Sequence, residues 1–216
     1  MREYPKIYGP YRRETEGPQR NKLIEGAWSR PEIGYLAEFQ WHFTEKVDGT
    51  NIRVHWDGHK VEFGGRTDRA QIPAMLLKAL LELFPEELFE QQFGDTTVTL
   101  YGEGYGAGIQ KGSGNYRATP GFVLFDVRVG DWWLLRDDVV DVAAKMGIDV
   151  IPLFLTGTLH EAIDLVRNGL NSLWGNFRAE GLVGVTTAGL LDRAGNRIMV
   201  KVKAADFAER REAAKA

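Results

Sequence analysis

The chain has 216 residues, 44% of them hydrophobic and 26% charged, enough to bury a sizeable core, and its formal net charge of -3 weighs against a general nucleic-acid-backbone binder while leaving room for a local basic groove. It has no cysteine, which excludes disulfides and thiolate metal sites and fits a reducing cytoplasm. No apolar run approaches membrane-spanning length, and Met1-Arg2-Glu3-Tyr4-Pro5 does not open a secretory signal. Residues 1–40 are rich in Tyr, Pro, Gly and Arg without a sustained period, and read as an irregular arm with short elements, packed on the core. From Trp41 the pattern sharpens. Ile52, Val54 and Trp56 alternate with Asn51, Arg53 and His55, and Val61 and Phe63 alternate again beyond Asp57-Gly58, a hairpin signal. Residues 72–84 predict a helix stopped by Pro85. Residues 96–101 predict a strand that enters a glycine-rich loop at 102–114. The nearly continuous apolar run Gly121–Val129 predicts a central strand buried on both faces. Beyond the turn at Gly130-Asp131, helices are expected at 137–146, closed by Gly147, and at 159–168, closed by Gly169. Thr158 and Glu161 form a capping box for the second. Strands are expected at 182–186 and 198–203, and a terminal helix from Ala204. The fold class is α+β, antiparallel sheets with flanking helices, and a single domain over 41–216 is expected.

Chemistry concentrates in a few segments. In Glu45-Lys46-Val47-Asp48-Gly49-Thr50-Asn51, a lysine at a strand end precedes an Asp-Gly pair at which the backbone can approach a ligand closely, although a Lys-x-Asp-Gly tetrad by itself is also an ordinary surface turn. Glu103, in Tyr101-Gly102-Glu103-Gly104, reads either as a loop carboxylate or as a functional one. Asp126 interrupts an apolar strand and must be paired or functional, because an unpaired buried carboxylate is costly. Phe125 beside it suits core packing or base stacking alike. Glu180 stands at a strand start. Lys201 and Lys203 share one strand face opposite Val200 and Val202, as a solvated face or as a pair of cations for a phosphate. The histidines at 55 and 59 straddle the hairpin turn, which argues against a zinc pair.

Taken in order, these pieces resemble the motif series of the covalent nucleotidyltransferases, the superfamily of ligases and mRNA capping enzymes. Within it the chain is most similar to the nick-sealing branch of phage RNA ligases. The shared stretches are Glu45-Lys46 with Gly49-Thr50-Asn51, Tyr101-Gly102-Glu103 leading into Gly108-Ile109-Gln110-Lys111, Phe125-Asp126, Ala179-Glu180-Gly181, and Asn196-Arg197 ahead of Lys201-Val202-Lys203 and Phe207. They cover Trp41 to about Phe207. Two positions depart from that branch, Asp48 where histidine is common and Val185 where lysine is usual, so one phosphate or metal-linked cation is lost. The chain after Phe207 leaves no room for a C-terminal OB-type domain, and a minimal adenylation domain is expected.

The resemblance implies an ATP-dependent RNA ligase. Lys46 would attack the α-phosphate of ATP, release pyrophosphate and carry AMP on Nζ. The AMP would pass to a 5'-phosphate end, and a 3'-hydroxyl would displace it to seal the strand. An ordinary lysine is protonated at neutral pH, so Lys46 must lose its proton, helped by Lys201, Lys203 and a metal. The resemblance also implies that Lys201 and Lys203 contact the α-phosphate and share in catalysis, that Arg66 and Glu103 bind the ribose, and that Phe125 stacks on adenine. Glu45 and Asn51 would lie against the nucleotide, Glu180 would hold Mg2+ or Mn2+, and Asp48 and Asp126 would support these groups from behind. A DNA ligase, a nucleic-acid 5'-adenylating enzyme, a GTP-using capping enzyme and a nucleotide-binding module without catalysis are the alternatives. The choice between RNA and DNA ends, a protein partner supplying the absent domain, and the oligomeric state are left open by the sequence.

Overall fold

The computed structural model describes residues 1–208. In it Thr50–Trp56 is a strand with Ile52, Val54 and Trp56 on its buried face, as the alternation requires. Asp57 turns the chain by accepting the backbone N–H groups of His59 and Lys60, at 2.9 Å each, and Val61–Gly64 returns antiparallel as the expected hairpin. The fold is α+β, antiparallel sheets flanked by helices, and the chain forms two compact units, Met1–Tyr4 with Val47–Ile151 and Pro5–Lys46 with the chain from Pro152 onward.

The sheet of the first unit runs Val61–Gly64, Thr50–Trp56, Val98–Tyr105, Gly121–Val129 and Trp132–Trp133, with Asp149–Val150 paired in parallel to Gly121–Val129. One face is covered by helices Ala74–Leu83, Glu86–Phe93 and Arg136–Met146. Leu76, Leu80, Phe89, Val139, Ala143 and Met146 join Ile52, Leu100, Phe122 and Leu124 in one core.

The helix expected before Pro85 is Ala74–Leu83, and Pro85 then begins a further helix, Glu86–Phe93, that was not expected. Pro is compatible with a helix start because no N–H is required there, Glu86 and Glu87 fall in the first turn, and Phe89 is fully buried. The strand expected at 96–101 runs on as Val98–Tyr105, so Glu103 lies within the sheet. Gly102 and Gly104 are there for packing: an added Cβ would collide with the Phe122 ring at the first and with Leu76 at the second.

In the second unit a four-stranded sheet runs Leu153–Gly157, Trp41–Glu45, Gly181–Thr186, Met199–Lys203, all antiparallel. Helix Leu159–Asn168 packs Leu159, Ala162, Ile163 and Val166 against Trp41, Phe43, Leu182, Val200 and Val202. Its capping box is complete: Thr158 Oγ1 accepts from Glu161 N–H (3.2 Å) and Thr158 N–H donates to Glu161 Oε2 (2.7 Å). The stretch read as an irregular arm holds a hairpin, Tyr11–Arg13 with Leu23–Trp28, and a short helix, Pro31–Tyr35. Ala204–Phe207 is a 3-10 turn, and the remainder of the expected terminal helix lies outside the described residues. Among the described residues no helix is long and apolar enough to cross a membrane.

The face of the first sheet opposite the helices holds His55, which ties stability to pH. His55 Nδ1 lies 2.8 Å from Thr99 Oγ1, and burial, followed by the charge of the N-terminus, holds the His55 pKa below its ordinary value. The folded pKa is then lower than the unfolded one. Below about pH 6.5 the unfolded chain binds the proton first, and stability falls as pH drops from there towards the folded pKa. Urea midpoints measured at pH 7.5 and 5.5 should therefore differ less in His55→Gln than in the wild type. An identical difference in the two proteins would remove His55 from this account.

Candidate active site

In the second unit the residues around Lys46 are set by strand pairing. Lys46 continues strand Trp41–Glu45, and its N–H donates to the Gly181 carbonyl at 2.9 Å. That register puts the side chain of Lys46 beside residue 180. Lys46 Nζ donates to Glu180 Oε2 at 2.6 Å, and Lys203 Nζ lies 3.9 Å from Glu180 Oε1. The three side chains are 25%, 31% and 35% exposed for Lys46, Glu180 and Lys203, partly screened by water but reachable from it. Glu180 is itself held by its carbonyl, which accepts the Ala204 N–H at 2.8 Å. One carboxylate thus bridges two lysines that are far apart in sequence.

Lys201 and Lys203 alternate with buried Val200 and Val202, pairing with Val183 and Gly181 respectively. Their backbone is fixed on the other edge too, because Lys201 N–H donates to the Tyr8 carbonyl at 2.8 Å. Glu45, next to the lysine, points away from this group. It is 1% exposed and its Oε2 accepts the Leu173 N–H at 2.8 Å, so it tethers the 170–174 turn. Val185 pairs with Met199 and His42 on the neighbouring strands.

In the first unit Asn51 and Glu103 are cross-strand partners, their side chains on the sheet face opposite the helices. Gly49 sits against them. An added Cβ there would lie 2.8 Å from Glu103 Cγ and closer still to the Gly104 carbonyl oxygen, so only glycine lets the chain pass this close. Asn51 Oδ1 is buried with no hydrogen-bond partner, an acceptor in want of a donor. Asp48 Oδ2 accepts the Gly112 N–H at 3.1 Å and ties down the loop that carries Gln110 and Lys111. Arg66 is exposed, in the loop after Val61–Gly64.

Phe125 owes its position to an irregularity. Pairing between Val98–Tyr105 and Gly121–Val129 slips at Tyr101/Gly102, where Tyr101 faces Asp126 and Gly102 faces Leu124, so Phe125 has no partner in register. It is half-buried with its ring edge-on to Tyr4, centroids 5.0 Å apart at 65°. Asp126, 2% exposed, accepts from the Tyr4 hydroxyl at 3.0 Å. The Tyr101 hydroxyl donates to the Arg2 carbonyl at 3.1 Å, and burial pushes its pKa up, so it remains a donor.

Tyr4 and Arg53 carry no sequence signal for the contacts they make. Nothing about a tyrosine in an irregular arm shows that it caps the aspartate of a distant strand. Arg53 was visible only as a member of the polar face of its strand.

The RNA ligase family matches residues 39–203. No curated protein matches. Among solved structures, the chain is similar to a mutant of Naegleria gruberi RNA ligase with ATP and Mn, at 18% identity and TM-score 0.67, covering 83% of this chain and 54% of that one. It is similar also to Naegleria gruberi RNA ligase with PPi, at 19% identity and TM-score 0.65, covering 97% of this chain and 64% of that one. A further mutant of the same ligase in its apo form aligns at 18% identity and TM-score 0.66, covering 84% of this chain and 54% of that one. At this identity the likeness is one of fold, and the chain spans little more than half the length of these relatives.

Proposed function

This chain belongs to the RNA ligase family, and from that premise we propose that it is an ATP-dependent ligase of RNA ends that works through a covalent lysyl-AMP intermediate. The observation that carries this reading is Lys46 Nζ on Glu180 Oε2 at 2.6 Å, with Lys203 on the other oxygen of the same carboxylate. Lys46 Nζ attacks the α-phosphorus of ATP, a P–N bond forms, and the bond to pyrophosphate breaks. Nζ must first shed a proton. Glu180 Oε2 is within reach of that proton. Lys201 and Lys203, on one strand face, meet the α-phosphate. The donor Asn51 Oδ1 lacks would come from the bound nucleotide, whose ribose meets Glu103 and Arg66 and whose adenine stacks on Phe125. Glu45, Asp48 and Asp126 act from behind through the backbone and side-chain groups they hold.

Glu180 also fits a metal role. Among the described residues no group of three or more His, Asp or Glu side chains could hold an ion unaided. This suits Mg2+ or Mn2+, which one carboxylate and the nucleotide phosphates bind between them. When bound, the ion offsets negative charge on the phosphates. The proposed substrates are ATP and RNA strand ends, and the proposed setting is the cytoplasm.

Incubation with α-labelled ATP and Mg2+ should leave an acid-labile AMP adduct on the protein, and ATP should outperform GTP and NAD+ as label donor. Pre-adenylated enzyme offered matched RNA and DNA, nicked and single-stranded, should seal RNA best. Tight ATP binding with no adduct would instead mark a binding module. Lys201→Ala and Lys203→Ala should each lower the labelling rate by about 10²-fold or more, the loss typical of a charge that stabilises a transition state. Rates equal to wild type would return both lysines to a solvated face.

A further inference from the structure

Arg53 is a fully buried arginine in the middle of strand Thr50–Trp56, on the face that carries Asn51. Its guanidinium spans separate parts of the first unit. Nε donates to the Gly65 carbonyl (2.7 Å), Nη1 to the Met1 carbonyl (3.2 Å) and Nη2 to Asp68 Oδ1 (2.9 Å). Gly65 and Asp68 bracket Arg66. Met1 begins the segment that continues through Arg2, held by the Tyr101 hydroxyl, to Tyr4, which binds Asp126 and packs on Phe125.

A buried cation keeps its acceptors, because losing any of them leaves charge uncompensated away from water. A planar fork serves three oxygens from three separate nitrogens, whereas an ammonium donates all its bonds from a single one. We infer that Arg53 is a positioning residue for nucleotide binding: it holds the loop of Arg66 and, through Met1–Tyr4, the ring of Phe125 in place before the nucleotide arrives. The inference rests on the reading of Arg66 and Phe125 as nucleotide contacts. Arg53 itself, sealed from solvent, touches no nucleotide.

The test compares self-adenylation kinetics in wild type, Arg53→Lys, Asp68→Ala and Asp68→Asn. Asp68 is 76% exposed, so its variants fold even if Arg53→Lys does not. The KM for ATP should rise about 10-fold in Arg53→Lys and about 3-fold in Asp68→Ala, with kcat within about twofold of wild type, because pre-organisation of binding is lost and the reacting groups are not. Asp68→Asn keeps an acceptor oxygen and should restore KM. Amide exchange of residues 65–68 should quicken in the variants whose KM rises. A KM unchanged in Asp68→Ala and in any folded Arg53→Lys would make Arg53 a structural strut and overturn the inference, as would a fall in kcat at constant KM. Should wild type itself take no label, the ligase reading fails and this inference goes with it, an outcome distinct from labelling with unchanged KM.

Discussion

Lys46→Ala is expected to form no AMP adduct from α-labelled ATP, a loss of at least about 10³-fold relative to wild type, because no other nitrogen replaces the removed nucleophile. Unfolding would not account for the loss. The Lys46–Glu180 ion pair is partly exposed, and such pairs contribute about 1 kcal/mol or less, so the variant should melt close to wild type. Removing Lys46 also leaves Glu180 beside Lys203 and not stranded. Lys46→Arg sharpens the test. It retains a cation for Glu180, yet a guanidinium does not give up its proton at working pH and should be equally inert. Intact-mass measurement after incubation with ATP reads both variants. Labelling of Lys46→Ala within about tenfold of wild type would place the nucleophile elsewhere.

Gly181→Ala is expected to be the most disruptive single-methyl change around the site. Gly181 has a φ of +152° and pairs with Lys203 across the sheet, and an added Cβ would strike the Val202 carbonyl oxygen and lie 3.0 Å from Lys203 Cα. Those are backbone atoms of a strand whose Val200 and Val202 are wholly buried, so they cannot move aside cheaply. Backbone strain and overpacking together should cost roughly 3–5 kcal/mol. The same shift would break the register that sets Lys46 against Glu180, because the Gly181 carbonyl accepts the Lys46 N–H. Adduct formation in any folded fraction should therefore slow as well. Gly17→Ala is the control. It has a φ of +71° and nothing within 4 Å of an added Cβ, so it should cost only about 1–2 kcal/mol. Urea unfolding distinguishes the two, and equal costs would rule out the collision at Gly181.

The two lysines at 46 and 203 meet through one carboxylate, and the electrostatic consequence is specific. Glu180 neutralises part of a cluster of positive charge that would otherwise repel itself, while leaving each ammonium partly open to water. An arrangement of this kind holds two cations on one carboxylate.

By itself the sequence determined the class of fold and most of its pieces. Alternation at Ile52, Val54 and Trp56, the capping box at Thr158 and Glu161, and the stop at Gly147 are local signals, legible because their physics acts within a few residues. The ordered motifs from Lys46 to Lys203 carried the family, which the match over residues 39–203 establishes. The tertiary structure decided what depends on residues far apart in the chain. Gly102 and Gly104 read as the start of a glycine-rich loop because glycine is ambiguous, and only the neighbouring Phe122 ring and Leu76 explain why a strand needs them bare. Glu45 stands beside Lys46 in sequence, yet strand alternation turns it inward to the Leu173 N–H, while Glu180, 134 residues away, is brought to Lys46 by pairing. Arg53 looked like one more polar residue on an open strand face. Its burial, and its hold on Met1, Gly65 and Asp68, come from segments folding over that face, which no local pattern records.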